Sequence, residues 1–323
     1  MAGGAIRALV TGAKGCIGAW AVKVLLRRGA EVIVYDADSS PSRLALILTP
    51  QELVRLQIEH GRIEDTARVK SLVRDASVSH ILHLAAVLMP FCQRNPVEGG
   101  MINVIGTLNV FEAARDAGRP VRVVYASSSA VWGTLEAYGE NPLTEEDPLK
   151  PTTHYGVFKQ ANEGNARAFY AQDGISSIGL RPWTVYGPGR DQGLTADPTL
   201  AMASVASGEP FRIRLGGFMD LQYVEDIAGI FVECLLRPIE GAYAFNLAGD
   251  IIEMEKLIHL IGRIRPGARQ LLSAEGKQVP VAYRMSDAEL RTKIPGLPRT
   301  PLEEGIRKTI EFFEARLGVS STG

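Results

Sequence analysis

The octapeptide Thr11-Gly12-Ala13-Lys14-Gly15-Cys16-Ile17-Gly18 decides the fold through what stands on either side of it. Ahead of it lies the apolar run Ile6 to Val10, short and preceded by glycine, which reads as a buried strand. Behind it, Ile17 to Arg28 carries apolar residues at helical spacing and stops at Gly29, a helix C-cap signal. Plain strand–helix turns also use glycine, but G-x-x-G-x-x-G between a buried strand and a helix reads as the phosphate-binding turn of a dinucleotide fold. Gly12 permits the tight turn, Gly15 lets the backbone approach a pyrophosphate, and Gly18 lets the helix pack closely on the sheet. The helix start, at Cys16 and Ile17, offers N–H groups and positive dipole to the phosphates.

Outward from that loop, strands and helices alternate. Glu31 to Tyr35, Ile81 to Ala85, Val121 to Tyr125 and Ile175 to Leu180 read as strands. Val97 to Ala117 and Tyr155 to Gln172 read as helices, closed by Gly118 and Gly174. This alternation predicts an α/β fold, a Rossmann-type doubly wound parallel sheet. From Arg181 the texture changes. Pro182, Pro188 and Pro198 cluster with Gly187, Gly189 and Gly193, which marks irregular loops. Helices over Thr199 to Ser207, Val224 to Leu236 and Leu302 to Leu317, and strands over Pro210 to Leu215 and Ala242 to Leu247, complete the reading. We expect a dinucleotide-binding domain from residues 1–180 plus about 221–250. A smaller C-terminal substrate-binding domain, from about 181–220 plus 251–323, should close over the strand ends.

Asp36 ends the second strand, where a carboxylate accepts hydrogen bonds from the adenosine ribose and repels a 2′-phosphate. NAD is therefore expected, and the nearby Arg43 keeps NADP in play. Tyr155 and Lys159 stand four apart on one helix and so share a face. An ammonium beside a phenol favours the phenolate and should lower the Tyr155 pKa, making it a proton-transfer group. Ser127, Ser128 and Ser129 follow a strand directly, at the edge that faces the ligand crevice.

Composition bounds the function. The chain has 323 residues, 46% apolar and 22% charged, with a formal net charge of −1. No single-sign field draws it to nucleic acid or an anionic membrane, and no apolar run is long enough to span a bilayer. The cysteines, Cys16, Cys92 and Cys234, are far apart and odd in number, so neither a disulfide framework nor a metal site is expected. A cytoplasmic protein without a signal peptide is expected, because no basic region precedes an apolar stretch at the N-terminus.

Together these segments resemble the extended short-chain dehydrogenase/reductases, the NAD-dependent epimerase/dehydratase family. The glycine loop is similar to that family's T-G-x-x-G-x-x-G, and His83-Leu84-Ala85-Ala86 to its H-x-A-A/G. Asn103 to Thr107 resembles N-x-x-G-T, and Ser127 to Gly133 resembles S-S-x-x-V-Y-G. Tyr155 to Lys159, with Glu163, resembles Y-G-x-S-K-x-x-x-E, and Arg181 to Gly189 resembles R-x-x-N-V-Y-G-P-G. Gln222 to Asp226 resembles the end of F-V-Y-V-x-D.

The resemblance implies an enzyme with Tyr155 as general acid/base, Lys159 on the nicotinamide ribose and Ser128 as the catalytic serine. It implies Leu84, Ala85, Ala86, Asn103 and Pro182 along the cofactor, with Ile63 at the adenine. Ser129 and Trp183 would meet substrate. It also implies a homodimer through the helices Val97 to Ala117 and Tyr155 to Gln172. The departures bear on substrate. The family's Asn in R-x-x-N, a diphosphate contact, is Thr184; its Arg before the Asp of R-D-F-V-Y-V is Met219, followed by Asp220; its adenine-binding Asp is Arg62. Arg190, Arg212 and Arg214 are the candidates to replace the missing cations. The leading expectation is accordingly an NAD-linked oxidoreductase acting at a hydroxyl of a small sugar, sugar acid or polyol. The alternative is a sugar or nucleotide-sugar epimerase with tightly held NAD. A third reading, a non-enzymatic dinucleotide sensor, conflicts with the presence of Ser128, Tyr155 and Lys159 together.

Overall fold

The computed structural model describes residues 6–40 and 42–318. The expectation of no signal peptide rests partly on residues 1–5, which lie outside the described residues. Twelve strands occur among the described residues: β1 Arg7–Thr11, β2 Glu31–Asp36, β3 Gln57–His60, β4 His80–His83, β5 Arg122–Ala126, β6 Ser177–Arg181, β7 Thr184–Tyr186, β8 Phe211–Leu215, β9 Phe218–Tyr223, β10 Ala242–Asn246, β11 Asp250–Glu253 and β12 Leu272–Lys277. Seven of them form one sheet in the order β10-β6-β5-β4-β1-β2-β3, every pairing parallel.

The strand order reverses at β1, which lies between β2 and β4. Ligands of open parallel sheets bind in the crevice beyond the carboxyl ends at such a point. The glycine loop leaves β1 there, and His83 to Ala86 leaves β4 beside it.

Successive side chains of a strand point to opposite faces. Val10, Val32, Val34, Leu82 and Val124 therefore enter one buried cluster, with helices Cys16–Arg27 and Val224–Leu236. Leu9, Ile33, Tyr35, Ile81, Val123 and Tyr125 enter the other, with Phe111 and Val110 of helix Gly106–Arg115. Both faces are covered, which is why these strands read as continuous apolar runs.

Beyond β6 the chain is more regular than its prolines and glycines suggest. β7 pairs parallel with β9, and β9 antiparallel with β11, in a three-stranded sheet; β8 and β12 pair separately. β9 escapes a hydropathy reading because its sequence, Phe-Met-Asp-Leu-Gln-Tyr, buries two polar side chains, Asp220 and Gln222. β3 and helix Thr66–Asp75 are equally hard to read from sequence: β3 is a polar, largely exposed edge strand. The expected helix Val97 to Ala117 is in three parts, Pro96–Gly100, a π turn over Met101–Ile105 and Gly106–Arg115. It stops at Arg115, ahead of Gly118, whose φ is 69°. Among the described residues no helix is long and apolar enough to cross a membrane.

Candidate active site

At the glycine loop the backbone is packed so closely that side chains are excluded. Gly12 has φ 66°, and a Cβ there would lie 2.5 Å from the Ala85 nitrogen. A Cβ on Gly18 would lie 2.4 Å from the Gly12 oxygen. Gly15 is the N-cap of helix Cys16–Arg27, and no side chain caps that helix. A Cβ on Gly15 would meet only the Gly12 oxygen, at 3.1 Å, so this glycine keeps the space over the helix start clear. Free N–H groups and an uncluttered approach suit a pyrophosphate.

Asp36, expected at the ribose, is tied to the glycine loop. Its Oδ2 accepts from Lys14 N at 2.9 Å and its Oδ1 from Asp38 N at 2.9 Å. Arg43 donates to the Asp191 carboxylate from Nε at 3.1 Å and from its terminal nitrogen at 2.5 Å, and to Lys14 O at 3.3 Å. Its charge is thus already matched by Asp191. The cradle formed by Gly12, Gly15, Cys16, Ile17, Gly18 and Asp36 has the shape and charge to fit NAD. Ile63, expected at the adenine, is buried and its carbonyl accepts from Asn109 Nδ2 at 3.0 Å. Arg62 points outward to Glu64. Leu84, Ala85 and Ala86 are partly buried, and Leu84 N donates to Thr11 O at 3.0 Å.

The second half of the site is built on helix His154–Asp173, capped by Thr153, whose side chain accepts from Gly156 N at 3.1 Å. Tyr155 lies in its first turn, and Lys159 follows one turn later with Nζ 5.6 Å from the phenol ring centroid. Lys159 is buried and donates to Ala126 O at 2.7 Å, at the end of β5. Burial pulls its ammonium down to about 8. Burial also pushes the Tyr155 phenol up to about 12, opposed by a hydrogen-bonding interaction with Ser128. The expected lowering of the Tyr155 pKa by Lys159 is not found: burial dominates, and the groups that oppose it are Ser128 and Arg190. Ser128 Oγ accepts from Ala130 N at 3.1 Å. Ser127 belongs elsewhere, donating to Glu163 Oε1 at 2.6 Å.

Asn103 sits in the π turn, buried, and serves as a brace. Its Nδ2 donates to Val87 O at 3.1 Å and Gly99 O at 3.0 Å. Its carbonyl accepts from Thr107 Oγ1 at 2.7 Å and Asn162 Nδ2 at 2.9 Å. The side-chain chain continues from Thr107 through His83 to Thr11 of β1, at 3.0 and 2.7 Å. His83 is held well below the ordinary imidazole range, to about 3, by burial, so it stays neutral.

The segment from β6 to Arg190 closes the site. Ser129 N donates to Pro182 O at 3.0 Å, and the Trp183 indole donates to Ala282 O at 2.8 Å. Thr184 and Met219 are both buried. Of the three replacement cations, Arg212 is exposed and paired with Glu275, and Arg214 is paired with Asp197 at 2.6 Å. Arg190 remains. Its neighbour Gly189 approaches the glycine loop, where a Cβ would lie 4.0 Å from Cys16 Sγ, and the Arg190 charge bears on both the Tyr155 phenol and the Cys16 thiol. One terminal nitrogen donates to Thr195 at 2.7 Å, while its buried Nε has no partner. The loop that carries it is strapped onto the nucleotide side, with Trp20 Nε1 donating to Pro188 O at 2.8 Å and Asp191 on Arg43. Sequence reasoning missed the strap, whose partners are far apart in the chain. It also missed Gln222, whose signal was a polar residue where the family motif has valine.

Residues 8–248 match the NAD dependent epimerase/dehydratase family. The chain is 34% identical to UDP-glucuronate 4-epimerase 6 of Arabidopsis thaliana, over 96% of this chain and 72% of that protein. It is 28% identical to UDP-glucose 4-epimerase of Mycolicibacterium smegmatis, over 95% of this chain and 98% of that protein. The fold is similar to that of the UDP-glucose 4-epimerase of Thermus thermophilus in complex with NAD. The TM-score is 0.81 at 25% identity, covering 95% of this chain and 99% of that one.

Proposed function

The chain belongs to the NAD-dependent epimerase/dehydratase family and is an NAD-dependent enzyme; from that premise we propose that it inverts the C4 hydroxyl of a nucleoside-diphosphate hexose or hexuronate and keeps its NAD through each turnover. This takes up the epimerase alternative in place of a dehydrogenase acting on a free small sugar. The observation that carries it is Arg190. A buried guanidinium nitrogen without a partner is costly unless a ligand supplies an acceptor. Its loop lies against Trp20 and Cys16 on the nucleotide side, which suits a diphosphate contact, and there it would offset the absence of cations at Thr184 and Met219. The strap of Pro188 and Asp191 over the nucleotide loop supports retention of the cofactor.

When bound, NAD supplies a hydride acceptor and donor, and a positive charge beside the phenol. Tyr155 takes the proton of the C4 hydroxyl and returns it after the sugar has turned. Ser128 hydrogen-bonds the same oxygen, and Lys159 holds the ribose. Trp183, Thr184 and Ser129 wall the sugar. Residues 1–180 with about 221–250 carry the cofactor, and the later segments carry substrate.

Dimerisation belongs to the same reading. Val97, Met101 and Val157 are exposed apolar side chains on the two helical segments expected at the interface. Light scattering at micromolar concentration should give twice the 35.0 kDa chain mass.

The test incubates purified protein with UDP-glucose and, separately, UDP-glucuronate, follows products by NMR and follows NADH by absorbance. The C4 epimer without net NADH is expected. Net NADH from a free sugar or polyol, with no epimer formed, would overturn the proposal.

A further inference from the structure

Gln222 is a buried amide one residue from the end of β9, at a position where the family motif carries valine. It makes three hydrogen bonds. Nε2 donates to Asp220 Oδ2 at 2.9 Å and to Leu247 O at 2.8 Å, and Oε1 accepts from Trp183 N at 3.1 Å. The orientation of the amide is unique, because Leu247 O can only accept and the Trp183 N–H can only donate. Asp220 is fixed in turn, its Oδ1 accepting from Gly249 N at 2.7 Å. A Cβ on Gly249 would lie 2.5 Å from Asp220 Oδ1 and 2.7 Å from Gln222 Cγ, so the turn, the carboxyl and the amide form one packed unit.

That unit reaches the reacting end of the site in two steps. Gln222 holds the nitrogen of the Pro182–Trp183 peptide bond, and the Pro182 oxygen holds Ser129 N, next to Ser128. We propose that Gln222 is a positioning residue of the reaction: it sets the Pro182–Trp183 backbone, and through it the serine turn, against the reacting hydroxyl. The proposal rests on the reading of Pro182, Trp183 and Ser128 as the reacting end. A buried polar group kept only for packing has no need of a partner on each of three strands or turns; an aliphatic side chain fills the same space without the desolvation cost.

The test is Gln222→Met, which keeps length and volume and removes all three bonds. The variant should purify with its full content of NAD. Its kcat should fall about tenfold, the usual scale for one lost hydrogen bond with a stranded N–H, with KM within about twofold. Labelling with 15N-tryptophan gives three backbone amide signals, one for each tryptophan, and Trp183→Phe identifies the relevant one. Exchange of the Trp183 amide should accelerate at least about tenfold. Gln222→Glu is the second variant. It keeps the acceptor for Trp183 and regains a donor only when protonated, so its turnover should fall as pH rises. The introduced carboxyl would face Asp220 on its own strand, Leu247 O and the Trp183 N–H; Asp220 in turn meets the Gly249 N–H and the charges of Asp250 and Arg299.

A kcat within twofold of wild type in Gln222→Met, or an unchanged Trp183 exchange rate, overturns the proposal. If Gln222→Met loses NAD or unfolds, a flat pH profile in Gln222→Glu overturns it instead. A wild type that converts no nucleotide sugar defeats the epimerase reading; the exchange measurement needs no substrate and still decides where Gln222 holds Trp183.

Discussion

Arg181 and Glu163 form a buried two-pronged ion pair, Nε to Oε1 at 2.8 Å and the terminal nitrogen to Oε2 at 2.7 Å. Both side chains are almost fully shielded from solvent, at 4% and 0% exposure. Ser127 adds a third bond to the carboxylate, and Arg181 also reaches Asn246 at 3.3 Å. The pair ties the helix of Tyr155 and Lys159 to β6, beside Pro182. Removing one partner strands a buried charge, so Glu163→Leu should cost about 3–5 kcal/mol. The double change Glu163→Leu with Arg181→Met should cost less than either single one. Denaturant midpoints of the three variants check this, and additive losses would contradict it.

Tyr155→Phe removes the proton-transfer group and nothing from the nucleotide cradle. Turnover should fall by about 10²–10⁴-fold. Bound NAD, measured after denaturing the purified protein, should remain at the wild-type level. Near-normal turnover would mean that another group moves the proton.

Asp191→Ala releases Arg43 and one end of the strap. The pair is partly exposed, at 18% and 49%, so its loss should weaken NAD only about two- to fivefold. Because the freed arginine then faces the ribose, NADP should tighten in the same variant. Asp36→Ala should weaken NAD more than NADP. Titrations of both dinucleotides against both variants test these signs; an unchanged ratio in Asp36→Ala would refute the ribose assignment.

Asp220 bears on stability through pH. Burial pushes its carboxyl up to about 7, opposed by the bonds from Gln222 and Gly249 N and by the charge of Arg299, with Asp250 reinforcing burial. A carboxyl raised in the folded state keeps its proton there while the unfolded chain loses it. Stability therefore falls as pH rises from about 4 to 7, by an amount of order 1–4 kcal/mol. Asp220→Asn should remove this slope, so the variant gains on wild type between pH 5 and pH 8. Denaturation curves at the two pH values check this; a difference between variant and wild type that is the same at both would mean the buried carboxyl is already ionised at pH 5.

The nucleotide end was the legible part of the chain. Gly12, Gly15, Gly18 and Asp36 are adjacent in sequence to the strand and helix that position them, so local pattern was enough. Tyr155 and Lys159 were legible for the same reason, being one helical turn apart. The phenol pKa was not, since it depends on how deeply both groups are buried, and that is a property of the packed whole. Arg190 could not be separated from Arg212 and Arg214 on paper, because only tertiary pairing with Glu275 and Asp197 removes the other two. β9 was hidden by Asp220 and Gln222, polar residues whose partners at Leu247, Gly249 and Trp183 are distant in the chain. The π turn at Met101–Ile105 leaves no mark on periodicity at all.

The bond from Trp20 to Pro188 has a consequence for synthesis on the ribosome. The glycine loop emerges early and can fold with β1 and β2, yet its covering segment is made only after β6 and β7. A nascent chain released short of Asp191 would hold an open nucleotide crevice, missing both ties of the strap. Fragments ending after β5 should therefore release dinucleotide faster than the finished chain.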